Sequence, residues 1–402
     1  MRIATLQIAA KLGDVEGNIR RADEVLANAV LRINGPKPGQ KSSARIVEAG
    51  LDMLVLSEMA LTGYNFPSLD AVKPYVEPAG KGRTAAWAKE TAKRLQCIVC
   101  VGYPEIEITA SEGGSQQERY YNSLLIISPT GSTLHNYRKT FLYYTDETWA
   151  SEGSAELGCQ NLTLSLPSPV SKHLSEIPET ENINKSLSIH TREIPTTFGI
   201  CMDINPYRFE APYSAFEFAH RVLDTRSELV IVSMAWLTLL TREELDMLRG
   251  KPEMDTFNYW IQRFLPLIRE RISYSSNPNR DHATKSTKDG GGAGSDTEER
   301  RIIIVFANRA GEEDGIPLAR YAGTSAIIAI SQRQHTPSST TSLRNGVSTA
   351  EGDDDDKQNQ ADSDFDVRIL CWGMLGATSE GVCFADTAGE PEMVFQLVRK
   401  AG

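Results

Sequence analysis

The sequence is short of several things, and each shortage removes a class of protein. Six cysteines in 402 residues, at 97, 100, 159, 201, 371 and 383, lack the density and spacing of a disulfide framework. That usage suits a reducing compartment, the cytoplasm or also the nucleus. Cys97 and Cys100 form a CxxC, but CIVCV reads as a strand, and an odd separation sends the two thiols to opposite faces, which disfavours zinc. The six histidines form no HExxH and no paired cluster, so no metal is expected. No GxSxG occurs, and no papain-like or caspase-like histidine signature accompanies Cys201. GGGAG at 290–294 has neither the lysine nor the strand-then-helix setting of a phosphate loop. Basic charge is outweighed: 42 Lys and Arg against 53 Asp and Glu give −11, the wrong sign for holding nucleic acid through its phosphates. No run of about 18 apolar residues occurs, and the opening MRIATLQIAA alternates as a strand, so neither a membrane span nor a secretory signal is expected.

What is present is a β-then-α rhythm. Strand-like runs fall at 2–9, 52–58, 97–103, 123–128, 196–202, 228–236, 301–308 and 324–330, many of them nearly continuous in apolar residues, as strands covered on both faces are. Ile19, Ala22, Val25, Leu26, Ala29, Val30 and Ile33 repeat at three and four, which predicts a helix over 19–33, and 85–95 and 255–274 also read as helices. The alternation predicts an α/β layered domain. Residues 276–300 and 333–366 are polar and rich in Gly, Ser and Asp, and read as disordered insertions into a single domain spanning 1–402. The DDDD run at 353–356 lacks the calcium-loop pattern and reads as a solvated loop.

Three segments offer chemistry. FGICMD places Cys201 where an apolar strand gives way to a polar turn. Alone it reads as a small buried hydrophobe, but Pro212, Phe216, Ala219 and Leu223 suggest a helix soon after, and an elbow there would leave N–H groups free for an oxyanion. LVLSEMALTGYNF puts Glu58 at the end of another apolar strand, where a carboxylate either turns to water or is buried for a task. STLHNYRKTFLYYTDETW puts Lys139 at a strand end, in isolation an ordinary basic residue.

Together GICMD, LSEMALTGY and YRKTFLYYTDETW, with VSMAW, FANRAGEEDG, YAGTSAIIAIS and EGVCFADT, resemble the segments of the nitrilase superfamily, the carbon–nitrogen hydrolases, over nearly the whole chain outside the insertions. The resemblance implies a four-layer αββα sandwich and a Glu-Lys-Cys triad: Cys201 as nucleophile, Glu58 as general base and acid, Lys139 as cationic stabiliser, and no cofactor. It also implies a second glutamate, Glu147, orienting Lys139 or the substrate, with Trp149 two residues on. Phe141 stands where relatives often carry histidine.

KTFLYYTDETW and CMDINPYRFEAPYSAFEFA further resemble a fungal branch of the superfamily that deamidates amino-terminal Asn and Gln of proteins, feeding a degradation pathway. That implies peptide substrates with a free amino terminus. Asp146 is then a candidate anchor for the α-ammonium, or a structural loop cap. Met202 could donate its N–H to the oxyanion. Asp203 and Arg208 could bind substrate or pair to fix the elbow, and Trp236 could wall the pocket or belong to the core. A small-molecule amidase of the ω-amidase or carbamoylase type and a catalytically silent scaffold are the alternatives.

Overall fold

A computed structural model describes residues 1–34, 41–110, 116–167, 189–270, 272, 299–315, 317–334 and 365–396. Two sheets carry the architecture. The first runs in the spatial order Gly381–Asp386, Arg2–Gln7, Met53–Leu56, Ile98–Ala110, Gln116–Ile127, Thr133–Arg138. The second runs Met393–Gln396, Phe365–Met374, Ala326–Gln334, Arg300–Ala307, Leu229–Ser233, Ile189–Ile200, Cys159–Pro167. The eight strand-like runs of the sequence all fall on strands of these sheets, and the two central trios are parallel.

Strand alternation builds four layers from these two sheets. Met53 and Val55 turn inward to an inter-sheet core with Ile98, Cys100, Phe198, Ile231 and Val305. Leu54 and Leu56 turn outward and meet Leu26, Ala88 and Ala92 of the helices Val15–Asn28 and Arg83–Leu95. On the far side, Val230, Val232, Ile304 and Phe306 pack against Phe218, Phe257, Trp260 and Phe264 from the helical segments that flank the second sheet. Each strand residue so buried contributes about 1.5–3 kcal/mol, which explains the near-continuous apolar runs. Helix, sheet, sheet, helix is the αββα sandwich of the nitrilase fold. Cys97, just before the strand Ile98–Ala110, and Cys100 within it fall in different cores.

Some expected boundaries move. The first helix, capped by Asp14 at Gly17 N (3.0 Å), stops at Asn28. Ala29 is extended (ψ 123°), and Val30–Asn34 pairs antiparallel with Lys41–Arg45. Val30 and Ile33 fit the helical period by coincidence, because Leu31 is buried between exposed neighbours as period two requires. The reading over 255–274 resolves into Met254–Gln262 and Leu265–Arg269, divided before Pro266. Arg300, Arg333, Gln334, Phe365 and Asp366 belong to strands rather than insertions. Residues 276–298 and 335–364, including the DDDD run, lie outside the described residues. Among the described residues no helix is long and apolar enough to cross a membrane.

Candidate active site

Parallel strands expose their carboxyl ends at one rim, and there the sheets bring their polar residues together. Glu58 lies two residues beyond Met53–Leu56, Lys139 follows Thr133–Arg138, Cys201 follows Ile189–Ile200, and Ala235 lies beyond Leu229–Ser233. Glu58 and Lys139 come from the first sheet, Cys201 and Ala235 from the second. Ser233 Oγ donates to Leu56 O (2.9 Å) and the Ala235 N–H to Glu58 Oε2 (2.7 Å), fastening one rim to the other.

Backbone conformation makes room for these side chains. Cys201 sits at φ +43° and opens a 3₁₀ turn, Cys201–Ile204, instead of leading straight into an α-helix; the helix Glu217–Asp224 comes later. A non-glycine residue in that region is strained, and such strain collects at functional turns. Met59, next to Glu58, is also left-handed at φ +50°. Gly102 permits the close approach beside it: a Cβ there would stand 2.6 Å from Glu58 Cα and from Met59 N.

Lys139 and Glu58 are fully buried and bond at 2.6 Å (Nζ to Oε1). Lys139 Nζ also lies 2.6 Å from Asp146 Oδ2, equally buried. Asn122 Nδ2 donates to both acids, to Glu58 Oε1 at 2.7 Å and to Asp146 Oδ1 at 2.9 Å. The reverse orientation would set the amide oxygen against two carboxylates, so the amide is fixed. Asp146 Oδ2 accepts further bonds from Tyr143 N (3.0 Å) and Tyr64 OH (3.3 Å). Glu313 holds Tyr64 and Asn65 through their N–H groups at 2.9–3.1 Å.

Charge follows from burial. Desolvation raises the Glu58 pKa; the Lys139 charge opposes this and the Asp146 charge adds to it. Burial alone would lower Lys139, but Asp146 and Glu58 outweigh it and hold the ammonium above its ordinary pKa. The Cys201 thiol is pushed up by desolvation and then by the Glu58 charge, while Lys139 and the Ala235 N–H favour its thiolate. A resting thiol thus faces a carboxylate whose own proton affinity is raised.

Cys201 opens on a cavity of about 550 Å³, walled by Tyr64, Tyr143, Met202, Trp236 and Tyr259 with Glu253 among its polar lining. Trp236 stands 5.6 Å from Tyr259 and 5.9 Å from Trp260, ring to ring, and Asn308 Oδ1 accepts from its backbone N–H at 2.8 Å. Phe209 and the fully exposed Leu239 bring apolar surface to the same cavity. Among the described residues no group of three His, Cys, Asp or Glu side chains is placed to hold a metal ion.

Several expected residues stand elsewhere. Glu147 is exposed and Asp146 holds Lys139 in its place; the spacing of eight selects the wrong acid of the pair because the chain turns into Asp146–Thr148 one residue earlier. Asp146, with four donors on its carboxylate, has no free capacity for an α-ammonium. Trp149 is buried beside Met59, Tyr64 and Tyr120 and does not line the cavity. Asp203 is buried and accepts from Ile200 N (2.7 Å), Thr140 N (3.0 Å), Phe141 N (2.8 Å) and Tyr137 OH (2.8 Å), tying the Cys201 turn to the segment after Lys139. It makes no pair with Arg208, which is exposed and faces Glu152 at 3.7 Å. Asn122 and Ala235 escaped the sequence reading, although an asparagine inside RYYNSLLII carried the same signal as Glu58, a polar group in an apolar strand.

Residues 2–159 match the family model described as Carbon-nitrogen hydrolase. Among individual proteins, the chain is 25% identical to the protein N-terminal amidase of Saccharomyces cerevisiae, over 97% of this chain and 95% of that one. It is 28% identical to the protein N-terminal amidase of Schizosaccharomyces pombe, over 83% and 92%. A crystal structure of N-terminal amidase with a Gln-Gly peptide shares the fold at a TM-score of 0.63, with 21% identity and 99% of each chain covered.

Proposed function

We propose that this chain is an amidohydrolase that deamidates amino-terminal Asn and Gln of proteins or peptides to Asp and Glu with release of ammonia. The observation that carries the chemistry is Cys201, strained and facing a cavity, close to a buried Glu58–Lys139 pair whose carboxylate accepts the Ala235 N–H. Near full-length similarity to two N-terminal amidases supports the substrate.

Glu58 takes the Cys201 proton as sulfur adds to the side-chain amide carbon. The Lys139 ammonium, with the Met202 N–H, stabilises the oxygen that becomes negative. Glu58 then returns the proton to the departing nitrogen, which leaves as ammonia, and an acyl thioester remains on Cys201. Water, deprotonated by the same carboxylate, attacks the thioester; the proton returns to sulfur and the acid is released. Asp146 and Asn122 hold Lys139 and Glu58 in register and do not touch substrate.

Ammonia release from Asn-Gly peptides with free and acetylated amino termini tests the reading. Release from the free form alone is expected. A preference for simple amides would point to a small-molecule amidase, and retention of activity in Cys201→Ala would end the thioester mechanism.

A further inference from the structure

With Asp146 committed to Lys139, an amino-terminal substrate still needs an anion for its ammonium. Two other carboxylates line the Cys201 cavity, Glu253 and Asp255. Asp255 is exposed, whereas Glu253 is 7% exposed. Oε1 of Glu253 accepts from Thr256 Oγ1 at 2.7 Å. Oε2 is buried and has no hydrogen-bond partner among the described residues. A carboxylate oxygen left without a donor away from water is costly, so it marks a place made for a cation or a donor. The residue is also held in place: its N–H donates to the buried Thr324 Oγ1 at 2.9 Å.

Resting on the amidase reading above, we propose that Glu253 receives the α-ammonium of the amino-terminal Asn or Gln and so selects peptides with a free amino terminus. In such substrates the amide carbon and the ammonium nitrogen are three bonds apart for Asn and four for Gln. Both must therefore fit within one cavity, and the lining of this cavity includes both the nucleophile and Glu253. Trp236 and Tyr259, aromatic faces in the same lining, suit a cation beside them. The peptide beyond the first residue then leaves past Phe209 and Leu239.

The test compares kcat/KM for Asn-Gly with that for its des-amino analogue, in which hydrogen replaces the α-amino group. Wild type should prefer the ammonium-bearing peptide by roughly 30-fold or more, as loss of one member of a buried charged pair implies. Glu253→Gln should bring the ratio close to one, Glu253→Asp should keep part of it, and Asp255→Asn should leave it intact. The ratio is internal to each preparation, so a reduced folded fraction does not alter it; if Glu253→Gln yields no folded protein, the other two variants decide. A preference retained in Glu253→Gln, or lost in Asp255→Asn, overturns the assignment while the amidase reading stands. A wild type without any preference overturns that reading instead.

Discussion

Lys139 Nζ lies 2.6 Å from Asp146 Oδ2, both side chains fully buried, while Glu147, the next residue, faces solvent. The two neighbours should therefore respond oppositely to neutralisation. Asp146→Asn removes a charge that raises the Glu58 pKa and one of the two acids on Lys139. Its activity should fall at least tenfold, and the acid limb of its pH profile should move to lower pH. Glu147→Gln should stay within about twofold of wild type, as a surface change of about 0.5 kcal/mol allows. Initial rates of ammonia release across pH separate the pair.

In the proposed mechanism Glu58 must be ionised to accept the thiol proton, and burial raises its pKa above the ordinary 4.5. Activity should therefore be lost as pH falls through an apparent pKa above 4.5. That value belongs to the coupled Glu58–Lys139–Asp146 cluster rather than to one carboxyl. Glu58→Gln should lower kcat by about 10²–10⁴-fold, the range for a positioned acid–base group. A profile of kcat/KM against pH with no acid limb in this range would remove Glu58 from the role of base.

Gly102 should be a positioning residue. Gly102→Ala puts a methyl 2.6 Å from Glu58 Cα and Met59 N, both backbone atoms that cannot rotate away. Overpacking should cost about 1–3 kcal/mol. Activity should fall further than stability explains, because a displacement of about 1 Å at a catalytic group costs on the order of 10²-fold. Thermal unfolding and kcat measured on one preparation decide this.

Asp203→Ala should leave the N–H groups of Ile200, Thr140 and Phe141 and the Tyr137 hydroxyl without their acceptor. With buried unsatisfied groups at about 1–3 kcal/mol each, a loss of at least about 3 kcal/mol is expected. Arg208→Ala, at an exposed site, should change stability by no more than about 0.5 kcal/mol. Urea unfolding midpoints at constant m-value measure both.

What could be read from sequence tracks what burial imposes locally. The Met53–Leu56 and Leu229–Ser233 runs announced strands covered on both faces, and Glu58 and Cys201 stood out as polar or reactive groups ending such runs. Period alone could not end the first helix, because Val30 and Ile33 satisfy helical and strand spacing together, and only pairing with Lys41–Arg45 decides between them. Nor could spacing choose between Asp146 and Glu147, since one residue of turn geometry determines which acid points inward. Glu253 gave no local signal: an acid at a helix start is ordinary, and its unsatisfied oxygen exists only once the second sheet and its helices have closed around the cavity.

Glu58 and Cys201 stand on opposite sides of the seam between the two sheets, so under the proposed mechanism neither half of the sandwich works by itself. Turnover regained during refolding would thus time the moment when the halves dock, and a ligand that wedges the seam apart could silence the protein while leaving each half intact.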